Sequence, residues 1–350
     1  MNIVVLSGGV GGARFLRGLR SAIGPDDNIT AIVNVGDDLW LTGVRIAPDL
    51  DSIMYTLAGV NDEERGWGRV GESARVSAEL LAYGVGWPWF TLGDLDLGTH
   101  LARTHYLRAG VPLSKATSLL SARWELGVRL IPATDDEVET YVVTNDGTMH
   151  FQEWWTKHRA RLPAQAFQYT DAATASPAPG VLDALRAADL IVFAPSNPVV
   201  SIGPILAIPG IRAGLAAASA PVVGVSPIIA GAVVRGMADA CLTAIGVATS
   251  AAAVALHYGA RSFDPRLDTR NSTSLWPSSV GQSGRQGLLD GWLVDETDTA
   301  TVPLLEAADI RCSAVPLWMR DPESSEQVAR DAVALGLRAG SPAGSGGLRR

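Results

Sequence analysis

The chain has 350 residues, 47% hydrophobic and 18% charged, which is enough apolar material for a sizeable core and excludes an intrinsically disordered chain. Its formal net charge of −8 removes the basic face that nucleic-acid binding requires. Cys241 and Cys312 lie far apart without metal spacing, and neither a cationic leader nor an unbroken apolar span is evident, so a cytoplasmic protein with reduced thiols is expected.

The apolar run "NIVVL" (Asn2 to Leu6) reads as a strand, followed by glycines and a helix from about Gly12 to Ile23. "NITAIVNV" from Asn28 is a second strand, and the helical patterns after it stop at Gly59, Gly84 and Gly110, where a glycine relieves the left-handed cap. "VRLIPAT" and "EVETYVVT" read as strands, with "NDG" (Asn145 to Gly147) as a hairpin turn before "TMHFQEWW". "ADLIVFAPSN" from Ala188 and "APVVGVSP" from Ala220 are again apolar runs of strand length. The apolar stretch Met237 to Leu256 is broken by Asp239 and Gly246 and reads as a buried helix pair. Alternating strands and helices predict an α/β fold, a Rossmann-like parallel sheet with helices on both faces plus a smaller antiparallel β-containing insert. The expected layout is a core of residues 1–127 and 180–336, an insert lobe of 128–179 and a disordered tail of 337–350.

"SGGVGGARFLRG" (Ser7 to Gly18) meets the physical requirement for anion binding, because glycines let backbone N–H groups approach a phosphate at the positive end of a helix. It matches neither familiar spelling: Arg14 stands where G-x-G-x-x-G needs glycine, and no Gly-Lys-Ser/Thr follows. Gly9, Val10, Gly11 and Gly12 are therefore candidates for a donor phosphate, with the Arg14 guanidinium beside them. The competing structural reading is that the glycines only permit close strand-to-helix packing. Three acidic clusters follow: "GDD" (Gly36 to Asp38), "PDLD" (Pro48 to Asp51) and "GDLD" (Gly93 to Asp96). One or two carboxylates with waters and phosphate oxygens suit Mg²⁺, and Asp37, Asp38 and Asp49 are the metal candidates. Taken singly, Asp49, Asp51 and Asp94 also fit helix capping or turn roles.

In the second half, "APSNPVVSIGPILAIPG" and "VSPIIAGAVVRGMAD" each follow a core strand and face the first glycine turn across one crevice. Ser196, Asn197, Ser201, Ser226 and Arg235 are the polar candidates there; capping by Asn197 and Ser201 is the alternative. The histidines carry no zinc motif, His100 and His105 being five apart, and a hydrogen-bonded or solvent-facing role is expected for them.

In this order the motifs "SGGVGGARFLRG", "NVGDDLWLTG…PDLDSIMYTL", "LGDLDLGTH", "HFQEWW", "APSNPVVSIGPIL" and "VSPIIAG" resemble the 2-phospho-L-lactate transferase family of coenzyme F-420 biosynthesis, over Met1 to about Gly336 and closest to its actinobacterial phosphoenolpyruvate transferase branch. The resemblance implies a guanosine diphosphate ester of phosphoenolpyruvate or phospholactate as donor. It implies the deazariboflavin Fo as acceptor, GMP as leaving group, Mg²⁺, and a homodimer acting on small molecules. It places Asp51, with Asp37, at the catalytic centre and Asp51 against the ribityl hydroxyl, with Trp40 and Asp94 also on the acceptor side. It places Gly9 to Gly12 at the diphosphate, and Ser196, Asn197 and the "SPIIAG" turn at the guanosine. Trp40, or Trp154 and Trp155, are candidates for a slot around the tricyclic ring, the two insert tryptophans equally fitting a lobe core. The chain departs from the family pattern at Leu95, where many members carry a basic residue, and at Ala230, where glycine is frequent. A sugar-nucleotide-binding regulator of the gluconeogenesis-factor type is the alternative, and an NAD-dependent oxidoreductase is disfavoured by Arg14.

Overall fold

The computed structural model describes residues 1–261 and 287–340. Seven strands, β1 (Asn2–Ser7), β2 (Asn28–Val33), β3 (Arg129–Pro132), β4 (Leu190–Phe193), β5 (Val222–Val225), β6 (Gly291–Asp295) and β7 (Arg311–Val315), form one sheet in the spatial order β7-β6-β5-β4-β1-β2-β3. All neighbours are parallel; Leu6 pairs with Ile32 on one side and Phe193 on the other. β4, β5 and β6 are buried along their whole length, as continuous apolar strands covered on both faces must be.

The sheet grows from β1 toward β3 in one direction and from β4 toward β7 in the other, so the winding reverses between β1 and β4. At such a reversal the connections leave in opposite directions and open a crevice beyond the strand ends, where open parallel sheets bind ligands. The two loops predicted to face each other, after β1 and after β4, border this crevice.

Helix α1 (Gly9–Ala22) buries Ala13, Phe15, Leu16 and Leu19 against the sheet and begins three residues earlier than its sequence pattern predicts. Helix α2 (Pro48–Ala58) has its proline in the first turn, where the missing N–H costs no hydrogen bond, and stops at Gly59, whose φ of 68° only glycine adopts freely. Helix α3 (Asp94–Arg108) and helix α4 (Pro322–Gly340) complete the elements that matter for the site. The stretch Met237 to Leu256 is indeed a helix pair, Ala238–Ala244 and Ala251–Tyr258. Among the described residues no single helix is long and apolar enough to cross a membrane.

Strands Glu139–Thr144, Gly147–His150 and Ala164–Thr170 form the antiparallel sheet of the insert, with the hairpin at Asn145 and Asp146 as read from the sequence. Trp154 is fully buried and meets the edge of Phe167 at 5.7 Å between ring centroids, so it belongs to the lobe core and not to a ligand slot. Two boundaries differ from expectation. Arg129–Pro132, assigned from sequence to the insert, is instead the edge strand of the main sheet, because its Leu130 and Ile131 are buried beside β2. Residues 337–340, assigned to the tail, continue α4, whose buried stripe reaches Leu335 and Gly336; residues 341–350 lie outside the described residues.

α1 and α4 cross at Gly18, where a Cβ would run into the Ser325 backbone. On an exposed face Gly→Ala would stabilise a helix by up to about 1 kcal/mol; at this crossing the sign reverses. Gly18→Ala is expected to cost about 1–3 kcal/mol in urea unfolding, the usual penalty of overpacking.

Candidate active site

The glycine turn between β1 and α1 is shaped by what approaches it. A Cβ on Gly8 would collide with the Asp49 carboxylate and Ser201, one on Gly11 with the Pro195 carbonyl, and one on Gly12 with the Ser7 and Ser196 hydroxyls. Three of the four glycines are therefore demanded by close packing of the protein on itself. Gly9 differs: its φ is 66°, and its N–H is directed at the Asp49 carboxylate. Ser196 locks the two facing loops together, its hydroxyl accepting from Gly8 N–H at 3.1 Å and donating to the Gly8 carbonyl at 2.7 Å.

Four aspartates converge on this crevice, all nearly buried: Asp37 and Asp38 in the turn after β2, Asp49 and Asp51 in the first turn of α2. They divide into two pairs with different counter-charges. Asp37 and Asp49 share the side-chain amide of the buried Asn34, whose Nδ2 lies 3.1 Å from Asp37 Oδ1, 2.9 Å from Asp49 Oδ2 and 3.1 Å from the Val200 carbonyl. Asn34 Oδ1 accepts from Gly36 N–H at 2.9 Å, which fixes which way the amide faces. Among the described residues no arginine, lysine or histidine forms an ion pair with either carboxylate. Burial, and then their mutual repulsion, holds the Asp37 carboxyl well above its ordinary range; burial pushes Asp49 up to about 6 against the bonds from Asn34 and Gly9.

The second pair has protein cations. Asp51 Oδ1 is ion-paired with Arg103 Nη2, and Asp51 Oδ2 lies 3.4 Å from His100 Nδ1. On its other side His100 Nε2 is 3.3 Å from Asp96 Oδ2, while Asp96 Oδ1 accepts from the Tyr55 hydroxyl at 2.7 Å. Burial works against charge on all three groups. Even so, Arg103 and His100 hold Asp51 below the ordinary carboxylate range, and Asp51 and Asp96 push His100 up to about 9. The network is an imidazolium and a guanidinium set around an ionised carboxylate. Asp38 points toward this side: its Oδ2 is 3.9 Å from Arg45 Nη2, and burial pushes its carboxyl up to about 8 despite Arg45 and Arg103. Arg45 in turn donates to Glu139 Oε1 at 2.8 Å, and Thr140 N–H donates to the Gly36 carbonyl at 2.6 Å, so the insert clamps the acidic turn.

Two groups were tested for a divalent ion. Asp51, Asp96 and His100 bring ligand atoms within 4.8 Å of one another. Arg103 already holds Asp51, however, and the raised imidazole keeps its protons, so that set behaves as an ion-pair network. Asp37 and Asp49 fit better: two coupled carboxylates with no protein cation, beside a glycine turn, match the partial ligand set that Mg²⁺ completes with water and phosphate oxygens.

The remaining sequence candidates are placed as follows. Val10 and Arg14 line a small cavity on the outer side of the glycine turn, and Arg14 Nη1 donates to the Met319 carbonyl at 3.3 Å. Ser201 is buried against Gly8. Asn197 Oδ1 caps the short helical turn after it, accepting from Val199 N–H at 2.9 Å, and Ser226 closes a turn on Ile228; both are occupied within the protein. Asp94 accepts from Val76 N–H at 3.2 Å and from the Ser73 hydroxyl, closing a surface loop, so Asp96 is the acid of "GDLD" that faces inward. Trp40 is 39% exposed on a hairpin and donates to Glu137 Oε1 at 2.9 Å; Trp155 is 37% exposed. Sequence reading missed Asn34, Arg45, His100 and Arg103. A signal existed for the last two: Asp96, Thr99, His100 and Arg103 recur at helical spacing on the one face of α3 that is buried.

Nearly the whole chain is similar to known proteins. The model of the family described as 2-phospho-L-lactate transferase CofD matches residues 3–331. Proteins named phosphoenolpyruvate transferase are similar at 54% identity over 339 residues in Streptomyces griseus (96% of this chain, 98% of that protein). In Nocardia farcinica the identity is 51% over 340 residues (95% and 94%). A crystal structure of a Bacillus halodurans protein has a TM-score of 0.58 at 18% identity, covering 95% of this chain and 99% of that one, and shares the fold.

Arg103→Gln would leave Asp51 buried without its partner, and a loss of about 3–5 kcal/mol in urea unfolding is expected. His100, raised from 6.5 to about 9 in the fold, contributes stability that is complete below pH 6.5 and lost as pH rises through 9. The stability difference between wild type and His100→Asn should therefore be largest at pH 6 and shrink by pH 9.5, as read from urea melts across that range.

Proposed function

The chain belongs to the 2-phospho-L-lactate transferase family, and on that premise we propose that it moves an enolpyruvyl-phosphate or phospholactyl group from a guanosine diphosphate ester to the terminal ribityl hydroxyl of the deazariboflavin Fo, forming dehydro-coenzyme F-420-0 or its lactyl counterpart. The hydroxyl oxygen attacks the distal phosphorus, the anhydride bond to the inner phosphate breaks, and GMP leaves with the bonding electrons. Phosphoryl-type transfer of this kind asks the protein for alignment and charge neutralisation more than for covalent help.

One observation carries this reading: two acids without a protein cation, Asp37 and Asp49, lie beside the glycine turn, and Asp51, an acid held ionised by Arg103 and His100, lies half a helical turn away on the same helix as Asp49. Asp37 and Asp49 would hold Mg²⁺, which when bound supplies positive charge to the diphosphate. The first turn of α1 offers N–H groups and the positive end of its helix to the same phosphates. Asp51 accepts the hydrogen bond of the acceptor hydroxyl and aims its oxygen at phosphorus. Being held ionised, it is a weak base in the resting site, and it takes the proton once bond formation has made the hydroxyl acidic. Asp38 and Arg45 set the field on the far side of the crevice.

Asp51→Asn should lower kcat for GMP release by about 10²-fold or more while GDP with Mg²⁺ still raises the melting temperature as in wild type. Unchanged GMP release with donor and Fo would remove Asp51 from the chemistry. Offering both donor esters with Fo and weighing the products identifies the group transferred.

A further inference from the structure

Beyond the metal and glycine side of the crevice, a second cationic feature remains that the reaction as described does not use. Val10, Arg14, Ser52, Thr56, Gly66 and Arg235 line a cavity of about 20 Å³ between the N-terminal half of α1, the face of α2 from Ser52 to Thr56, the loop at residues 61–68 and the segment after β5. Arg235 has no hydrogen bond or ion pair with any described residue, and its guanidinium lies against Gly66, at a position a Cβ would occupy. Arg14 offers one nitrogen to the Met319 carbonyl and has no carboxylate in ion-pair contact among the described residues. Burial, and then the charge of Arg14, holds Arg235 below the ordinary arginine range, so two like charges face one space. The one acid at the rim, Glu63, is ion-paired with Arg17.

Arg14 and Arg235 converge here with a single acid, Glu63, which Arg17 holds and Arg14 also attracts, so positive charge remains in excess and favours an anion; arginine's planar fork matches a carboxylate with two parallel hydrogen bonds. The space admits a group of carboxylate size and no nucleoside. Its location specifies which anion. Val10 follows Gly9 directly, and Ser52 and Thr56 continue the face of α2 that carries Asp49, three and seven residues on, so the cavity adjoins the glycine turn and the acid suited to the metal beside the diphosphate. A substituent on the transferred phosphorus would project there. With the diphosphate served by Mg²⁺ and the helix end, the carboxylate of the transferred group is the donor anion that still lacks a counter-charge.

Resting on the transferase reading above, we infer that Arg14 and Arg235 bind the carboxylate of the enolpyruvyl or lactyl group, and that they select carboxylate-bearing donors over other nucleoside diphosphate esters. The Ser52 and Thr56 hydroxyls border the same space and are available to the carboxylate oxygens. Because both donor groups carry this carboxylate, the cavity recognises the class and does not separate its two members.

The test is competitive binding to the full chain with Mg²⁺, comparing the guanosine diphosphate ester of phosphoenolpyruvate with the β-ethyl ester of GDP, which keeps both phosphates and lacks the carboxylate. Wild type is expected to prefer the former by about 10–100-fold, the range of charge-assisted hydrogen bonds. Arg235→Gln and Arg14→Gln should each lose most of that preference, Arg235→Lys should recover part of it, and affinity for GDP should stay within about twofold. Equal preference in wild type and both glutamine variants would overturn the inference, as would a fall in GDP affinity parallel to that of the donor, which would place a nucleotide phosphate in the cavity. If wild type binds neither ester nor GDP, the transferase reading fails first, and that outcome is distinguishable from the others. Melting temperatures of the variants separate lost recognition from lost fold.

Discussion

Burying carboxylates is the constraint around which this structure is organised. Asp37, Asp38, Asp49 and Asp51 are each at most 7% exposed, and their charges must be balanced or their protons retained. The chain answers in two ways within one crevice. Asp51 is given Arg103 and His100, which hold its carboxyl below the ordinary range against burial and fix its direction. Asp37 and Asp49 are given only the Asn34 amide and the N–H of Gly9, a neutral environment that leaves them repelling each other. Asp51 has its counter-charges within the protein, whereas Asp37 and Asp49 have no cation in ion-pair contact among the described residues. In the proposed reading, that difference separates the acid that would position the alcohol from the acids that would hold a metal and face the phosphates.

The same constraint accounts for several structural details that look incidental. Asn34 follows β2 by one residue and reaches Asp37, Asp49 and the backbone of Val200 at once, tying three loops at the sheet reversal. Gly8 lacks a side chain because Asp49 lies where its Cβ would be, and Gly12 because the hydroxyls of Ser7 and Ser196 do. The insert, though distant in sequence, supplies Glu139 to Arg45 and the Thr140 N–H to Gly36, so its sheet braces the acidic turn. Its Trp154 serves its own core, being fully buried, while Trp155 is exposed and the Tyr169 hydroxyl donates to the Val199 carbonyl of the main body.

Local charge departs from the average in a useful direction. The chain carries a net −8, yet arginines stand at each edge of the crevice: Arg103 and Arg45 behind the acids, Arg14 and Arg235 outside the glycine turn. A phosphorylated, carboxylated donor entering an acid-rich crevice would otherwise be repelled. In the proposed reading, a cation held by Asp37 and Asp49 and the pair Arg14 and Arg235 would hold separate parts of one polyanion at separate points, which would fix its orientation as well as its affinity.

Local chemistry made a large part of this protein legible in one dimension. Apolar runs of strand length separated by helical patterns determine a covered parallel sheet, and glycines at positive φ determine where helices end, because each follows from near neighbours in the chain. The glycine turn and the three acidic clusters were visible for the same reason. What they do was decided in three dimensions. Asp94 and Asp96 are two residues apart, yet one closes a loop and the other faces the site, since the rotation of α3 directs their side chains differently. Ser196, Asn197 and Ser226 have the composition of ligand donors, and the fold engages them internally: the two hydroxyls and Asn197 Oδ1 with the backbone, Asn197 Nδ2 with Cys241 Sγ. Asn34 and His100 stand at the ends of motifs noticed for their acids, Arg45 and Arg103 lie outside them, and the roles of all four emerge only when β2, α2 and α3 are brought together. Which acids are paired with a cation of the protein and which are not is a property of distances between remote segments, and no local pattern encodes it.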